Sequence, residues 1–210
     1  MSRKARDLRL GPADRLCLVT GAADFELVLD APAVNRFCLF AELLSIWCAR
    51  MNLVSCTTPR ELVERHFVDS LAVSPLLRDV AALVDLGSGA GFPGVPLAIA
   101  HPGIWVTLVE PRRRWANFLR EAKRTLDLSN AEILEIRAED RGPLPPSADA
   151  VVCRAVWSDD SAFALAPQWL RPSGALIRMR GGLPTEGAPQ QSSGSMRLER
   201  RSTYRIGAGR

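Results

Sequence analysis

The apolar positions of the chain change period near Arg78. Before it they recur at helical spacing. Phe37, Phe40, Ala41, Leu44, Trp47, Cys48 and Met51 follow i, i+3, i+4 and i+7 and make one apolar helix face, with Asn35 placed to act as its N-cap. The next helix has a sharper start. Thr58-Pro59-Arg60-Glu61 reads as a capping box with proline in the first turn. Val63, Phe67 and Leu71 then share one side, Arg65, His66, Asp69 and Ser70 another, and Pro75 marks the approximate end. A further helix is expected over about 14–30.

After Arg78 the apolar residues come as short runs at 81–86, 105–109, 131–136, 150–153 and 175–179. Amphipathic stretches at 94–101, 112–127 and 159–170 fit between them as helices. Alternating β and α units predict a parallel sheet covered on both faces. The ligand of such a sheet sits beyond the carboxyl ends of its strands, where the strand order reverses. The expected organisation is therefore a helical region over 1–77 followed by an α/β domain over 78–210. The Gly-, Pro-, Ser- and Gln-rich stretch 183–196 reads as a loop, and 196–205 as one strand-like stretch.

Composition narrows the class. With 47% hydrophobic and 24% charged residues, the chain is an ordinary globular one and not disordered, collagenous or disulfide-stapled. The basic N-terminus is not followed by an uninterrupted apolar run, so no secretory signal is expected, and 37–49 is too short to span a bilayer. Five cysteines without a C-x-x-C pair suggest neither a zinc site nor a disulfide framework, and point to a reduced, cytoplasmic compartment. The net charge of +4 comes almost wholly from arginine, Lys4 and Lys123 being the lysines. Arginine suits phosphates and bases, but this charge by itself decides nothing about nucleic acid.

The chemistry begins at Val84-Asp85-Leu86-Gly87-Ser88-Gly89-Ala90-Gly91-Phe92-Pro93-Gly94, which joins the first strand to a helix. Gly89-x-Gly91-x-x-Gly94 fits a dinucleotide fingerprint, in which glycines let the backbone approach a ligand. Two residues favour S-adenosylmethionine over NAD. Asp85 can pair with an ammonium but would repel a pyrophosphate, and Pro93 removes an amide donor where phosphate would need one. Glu110 closes the second strand, where an acid can accept both ribose hydroxyls of either cofactor.

The loop D-L-G-S-G-A-G-F-P-G-V-P-L-A-I resembles the first motif of the bacterial ribosomal RNA small subunit methyltransferase G family, also called glucose-inhibited division protein B. Other matches follow in order. Asn52-Leu53-Val54-Ser55 resembles N-L-T-S, and Arg65-His66-Phe67-Val68-Asp69-Ser70 resembles R-H-x-x-D-S. Val106–Glu110 with Phe118-Leu119-Arg120 resembles the family's second strand and helix, and Cys153-Arg154-Ala155 its S-R-A. The likeness spans about 35–182 and implies a Rossmann-like, S-adenosylmethionine-dependent methyltransferase fold with a mostly parallel sheet and a helical N-terminal extension. It implies that Gly87, Phe92, Ala138, Glu139 and Arg154 bind the cofactor, beside Asp85, Gly89, Gly91 and Glu110 from the loop reading, with no metal. It also implies transfer to N7 of a guanine in 16S ribosomal RNA; a monomer that meets no membrane is expected.

Guanine N7 carries a lone pair and no proton, so its methylation needs no general base, which suits a sequence without an evident catalytic dyad. No N/D-P-P-Y/F/W stretch for amine methylation is present, and Cys153 reads as a buried strand cysteine. Arg154 and Arg180 are the catalytic candidates; where this chain has Arg180-Gly181 the family usually has lysine and glycine. His66 is open to two readings, an RNA contact or hydrogen-bonded structure with Asp69 and Ser70. Arg112, Arg113, Arg114, Arg120, Lys123 and Arg124 form either a phosphate-binding face or a solvated helix surface. The family's last strand, of the R-H-L-V-V-I kind, has no counterpart before Arg210, so the sheet is expected to lack it. Two other functions remain compatible: a small-molecule methyltransferase, and a catalytically impaired RNA-binding or regulatory protein that kept the fold.

Overall fold

A computed structural model describes residues 7–142, 147–154 and 159–179. The first helix, α1 (Pro12–Ala23), is shorter than the expected 14–30. It starts where the Asp14 carboxylate accepts the Gly11 N–H. After Asp24 the chain turns at Glu26, with φ +59°, and Phe25 and Leu29 fold into the core instead of extending the helix. Helix α2 (Ala31–Cys48) begins earlier than Asn35 predicted. Asp30 is the N-cap, accepting the Ala33 N–H at 2.8 Å, and its charge at the positive helix end with Pro32 behind it outcompetes Asn35.

The capping box at Thr58 forms with one change. Thr58 accepts the Glu61 N–H at 3.2 Å, while the Glu61 carboxylate turns back to the N–H and hydroxyl of Thr57. Thr58→Ala should lower stability by about 1 kcal/mol in thermal melts; an unchanged Tm would mean that Pro59 and Glu61 start the helix alone. The helix then runs through α3 (Pro59–Leu62), a π-helical turn (Val63–Val68) and α4 (Asp69–Leu71). Phe37, Phe40 and Phe67 interlock, with ring centroids 5.0 and 5.8 Å apart, and Phe40 also reaches Phe92 and Phe118 at 5.5 and 6.3 Å.

The described sheet has five parallel strands in the order β3-β2-β1-β4-β5. They are β1 (Ala82–Leu86), β2 (Trp105–Val109), β3 (Ala131–Leu134), β4 (Ala148–Arg154) and β5 (Leu170–Met179). Helices α5 (Gly94–Ala100), α6 (Arg113–Leu126) and α7 (Asp159–Leu165) connect them. β3 stops two residues short of expectation, and β5 starts five residues early. Its first half is polar and irregular, with Ser173 at φ +71° and a register shift against β4 at Ala148/Ala150, so it lacks an apolar run. The strand-like stretch 196–205, and with it the question of a final strand, lies outside the described residues.

Alternation decides which side chains meet the N-terminal helices. Leu83, Val106, Leu108, Ala150, Val152 and Ile177 face the core shared with α1, α2, α5 and α6, whereas Val84, Leu86, Val109, Val151 and Cys153 face α7 and Trp169. By the same parity Asp85 and Arg154 point to the helical side. The order reverses at β1, with β2 on one flank and β4 on the other, so the crevice expected for a ligand lies at the carboxyl ends of β1 and β4.

Candidate functional site

The loop after β1 is tied to the end of β2. Gly87 and Ser88 both donate to the Val109 carbonyl, at 2.9 and 3.0 Å, and Gly87, Gly89 and Gly91 have φ of +72°, +55° and +90°. These left-handed angles are what the glycines supply. Asp85, at the head of the loop, is fully buried. Its Oδ2 accepts the Gly94 N–H at 3.0 Å, and its Oδ1 has no hydrogen-bond partner. Burial pushes its pKa up to about 7, against the pull of the Gly94 N–H, Ser88 and Arg154. A buried acceptor left open at the strand end suits a cationic donor on a ligand, as the ammonium of S-adenosylmethionine would be, and does not suit a phosphate.

Arg154, at the end of β4, is mostly buried beside this loop. Its Nη1 donates to Asp69 Oδ2 at 3.0 Å, its Nη2 lies 2.8 Å from His66 Nδ1, and its guanidinium lies 5.3 Å from the Phe92 ring centre. His66 packs on Phe92, with centroids 4.9 Å apart. Burial, with the cations Arg154 and Arg65 nearby, pushes the His66 pKa down to about 4; burial raises that of Asp69 despite Arg154. The two residues that a regular helix pattern left at its polar side are thus carried by the π-helical turn and α4 onto the sheet. The signal that pointed to them was a polar cluster on an otherwise apolar helix. Its partner, Arg154, could not be known without the strand parity.

Glu110 already has partners within the chain. Its carboxylate, 1% exposed, is already saturated: Oε2 accepts the Gly89 N–H and Arg112 Nη2, and Oε1 accepts Arg112 N and Nε. A pair of ribose hydroxyls has to displace the Arg112 side chain, which is 59% exposed and lies 4.2 Å from the centre of the Trp115 ring. Sequence spacing gave no sign of this contact. Ala138 is buried at the start of a 3-10 turn after β3, its carbonyl accepting Trp169 Nε1 at 3.0 Å, and Glu139 beside it is exposed. The structure thus gathers Asp85, Gly87, Gly89, Gly91, Phe92, Glu110 and Arg154 at and after the carboxyl ends of β1, β2 and β4. Arg180 lies outside the described residues.

Cys153 is a buried strand cysteine, its thiol pushed up by burial. On α6 and its approach, Arg112, Arg120 and Arg124 are each paired with an acid, Glu110, Glu135 and Glu121, which favours a charge-balanced surface over a free phosphate-binding face. Among the described residues, no group of three or more His, Cys, Asp or Glu could hold a metal, and no helix is long and apolar enough to cross a membrane. A cavity of about 510 Å³ lies at the opposite, amino end of the strands, between Ser74, Arg78 and His101, and takes no part in this crevice.

A doubly covered parallel sheet whose reversal point holds a buried acid with one oxygen unpartnered, and not a phosphate cradle, puts the protein in the class of Rossmann-like, S-adenosylmethionine-dependent methyltransferases. The sequence profile described as "rRNA small subunit methyltransferase G" matches residues 33–203, and the chain belongs to that family. Its relatives include the ribosomal RNA small subunit methyltransferase G of Xanthomonas axonopodis pv. citri, 42% identical over 158 residues, covering 75% of this chain and 74% of that protein. The Myxococcus xanthus protein of the same name is 37% identical, over 90% of this chain and 85% of its own length. That of Anaeromyxobacter sp. is 40% identical, over 81% and 80%.

Proposed function

We propose that this protein transfers a methyl group from S-adenosylmethionine to N7 of one guanine in 16S ribosomal RNA, in the cytoplasm. The observation that carries the reading is Asp85: fully buried, with one carboxylate oxygen unpartnered at the strand-order reversal of a chain from an rRNA methyltransferase family. When bound, S-adenosylmethionine supplies an electrophilic methyl group on a sulfonium. Asp85 holds its ammonium. Gly87, Gly89 and Gly91 let the backbone close on it, and Phe92 walls off the methionine part. Glu110 holds the ribose once Arg112 gives way, and Ala138 with Glu139 lines the adenine. Arg154, beside both Asp85 and Phe92, orients the ligand side of the crevice.

The transfer is an in-line displacement, so the residues must align the nucleophile and exclude water; they need not remove a proton. The small-molecule alternative is disfavoured because His66 and Asp69, outside the cofactor loop, are built into the same site. The test is methyl transfer from labelled S-adenosylmethionine to small subunits lacking base methylation. The expected result is N7-methylguanine at a single position; cofactor binding without any label in RNA would favour the non-catalytic alternative.

A further inference from the structure

Arg154 does more to His66 than pack against it. A guanidinium has donors only, so the 2.8 Å contact with Arg154 Nη2 makes His66 Nδ1 an acceptor. The imidazole is then neutral and carries its proton on Nε2. Arg154, Arg65 and burial hold the pKa near 4, so this tautomer persists at neutral pH. Nε2 has no hydrogen-bond partner among the described residues. Phe92 under the ring and Asp69 behind Arg154 fix its direction. The result is a rigid, uncharged donor at the carboxyl ends of β1 and β4.

A guanine that offers N7 for methylation presents two acceptors on that edge, N7 and O6. N7 must be left to the incoming methyl, so O6 is the atom a fixed donor can hold. Adenine would set its N6 amino group there, donor against donor. An uncharged donor also suits the reaction, because the purine becomes cationic as the bond to N7 forms, and a cation at that edge would oppose it.

We propose that His66 is a base-contacting residue whose Nε2–H donates to O6 of the target guanine and selects guanine over adenine. The contact rests on the guanine-N7 reading above. The test uses the full chain and small subunits reconstituted with either guanine or 2-aminopurine, which keeps N7 but lacks O6, at the target position. His66→Asn keeps an acceptor for Arg154 but has nothing at the Nε2 position; His66→Gln reaches that position with an amide donor. Asn should bind S-adenosylmethionine and melt like the wild type, lose about tenfold in single-turnover rate on guanine, and lose nothing further on 2-aminopurine. Gln should recover most of the loss. His66→Ser, read in the same way, serves if the Asn variant does not fold. Equal losses on both substrates, or no loss on guanine, overturn the contact while leaving the reaction standing. Failure of the wild type to label guanine subunits overturns both.

Discussion

Asp85→Asn should weaken S-adenosylmethionine binding by about 10- to 100-fold while leaving the fold intact. The Gly94 N–H needs an acceptor, so the new amide must turn its oxygen there. Its NH₂ then faces the place where the unpartnered Oδ1 stood, donor against the ligand's ammonium. Two pH readouts accompany the loss. Folding holds the Asp85 proton more tightly than the unfolded chain, about 7 against 3.8, so the folded protein binds more protons between these values. Stability of the ligand-free wild type therefore falls as pH rises from about 4 to about 7, and the Asn variant lacks this fall. Conversely, a cationic ligand prefers the ionised carboxylate, so wild-type affinity should climb between about pH 5.5 and 7.5 and the variant's should not. Calorimetric titration at three pH values decides the matter; equal affinities for wild type and variant would remove Asp85 from the ligand contacts.

Gly94→Ala should cost about 3 kcal/mol of stability. A Cβ there would collide with Leu108 Cδ2 and stand 2.6 Å from Asp85 Oδ2, and both neighbours are packed in the interior, Leu108 being 1% exposed and Asp85 fully buried. The displaced Gly94 N–H would also leave the second Asp85 oxygen without its partner. Gly103→Ala, where a Cβ meets nothing within 4 Å, is the control and should be close to neutral. In a Leu108→Ala background the Gly94→Ala penalty should shrink. Urea melts of the four proteins give the cycle, and an undiminished penalty would put the strain on the backbone.

The elements most legible in the sequence were those decided locally. The runs of β1 and β2 and the glycine loop between β1 and α5 each obey one dominant rule, so their positions follow from a few consecutive residues. Ends decided by competition were less legible. Asn35 is a sound N-cap, but Asp30, five residues earlier and followed by Pro32, is a better one, and the extra turn buries Ala33. The first half of β5 has no apolar signature because it holds an irregularity: Leu170 lies opposite Ala148, and regular pairing with β4 resumes only at Ala175, opposite Ala150. In the crevice, Asp85 and the glycines were readable from spacing. The contact between Arg154 and His66, 88 residues apart, was not, since it needs both the strand parity and the phase that the π-helical turn gives His66. Nor could spacing show that Arg112 already occupies the Glu110 carboxylate.

The shared core has a consequence for how the protein is made. Phe37, Phe40 and Phe67 leave the ribosome first, yet the rings that cover them, Phe92 and Phe118, follow later in the chain. At roughly 5–20 residues per second, the helices emerge seconds before the sheet they need. During that interval a cluster of three phenylalanines and the flanking leucines stands in water, and the early helices cannot reach their final packing. Its aromatic surface closes only when β1, α5 and α6 have been synthesised.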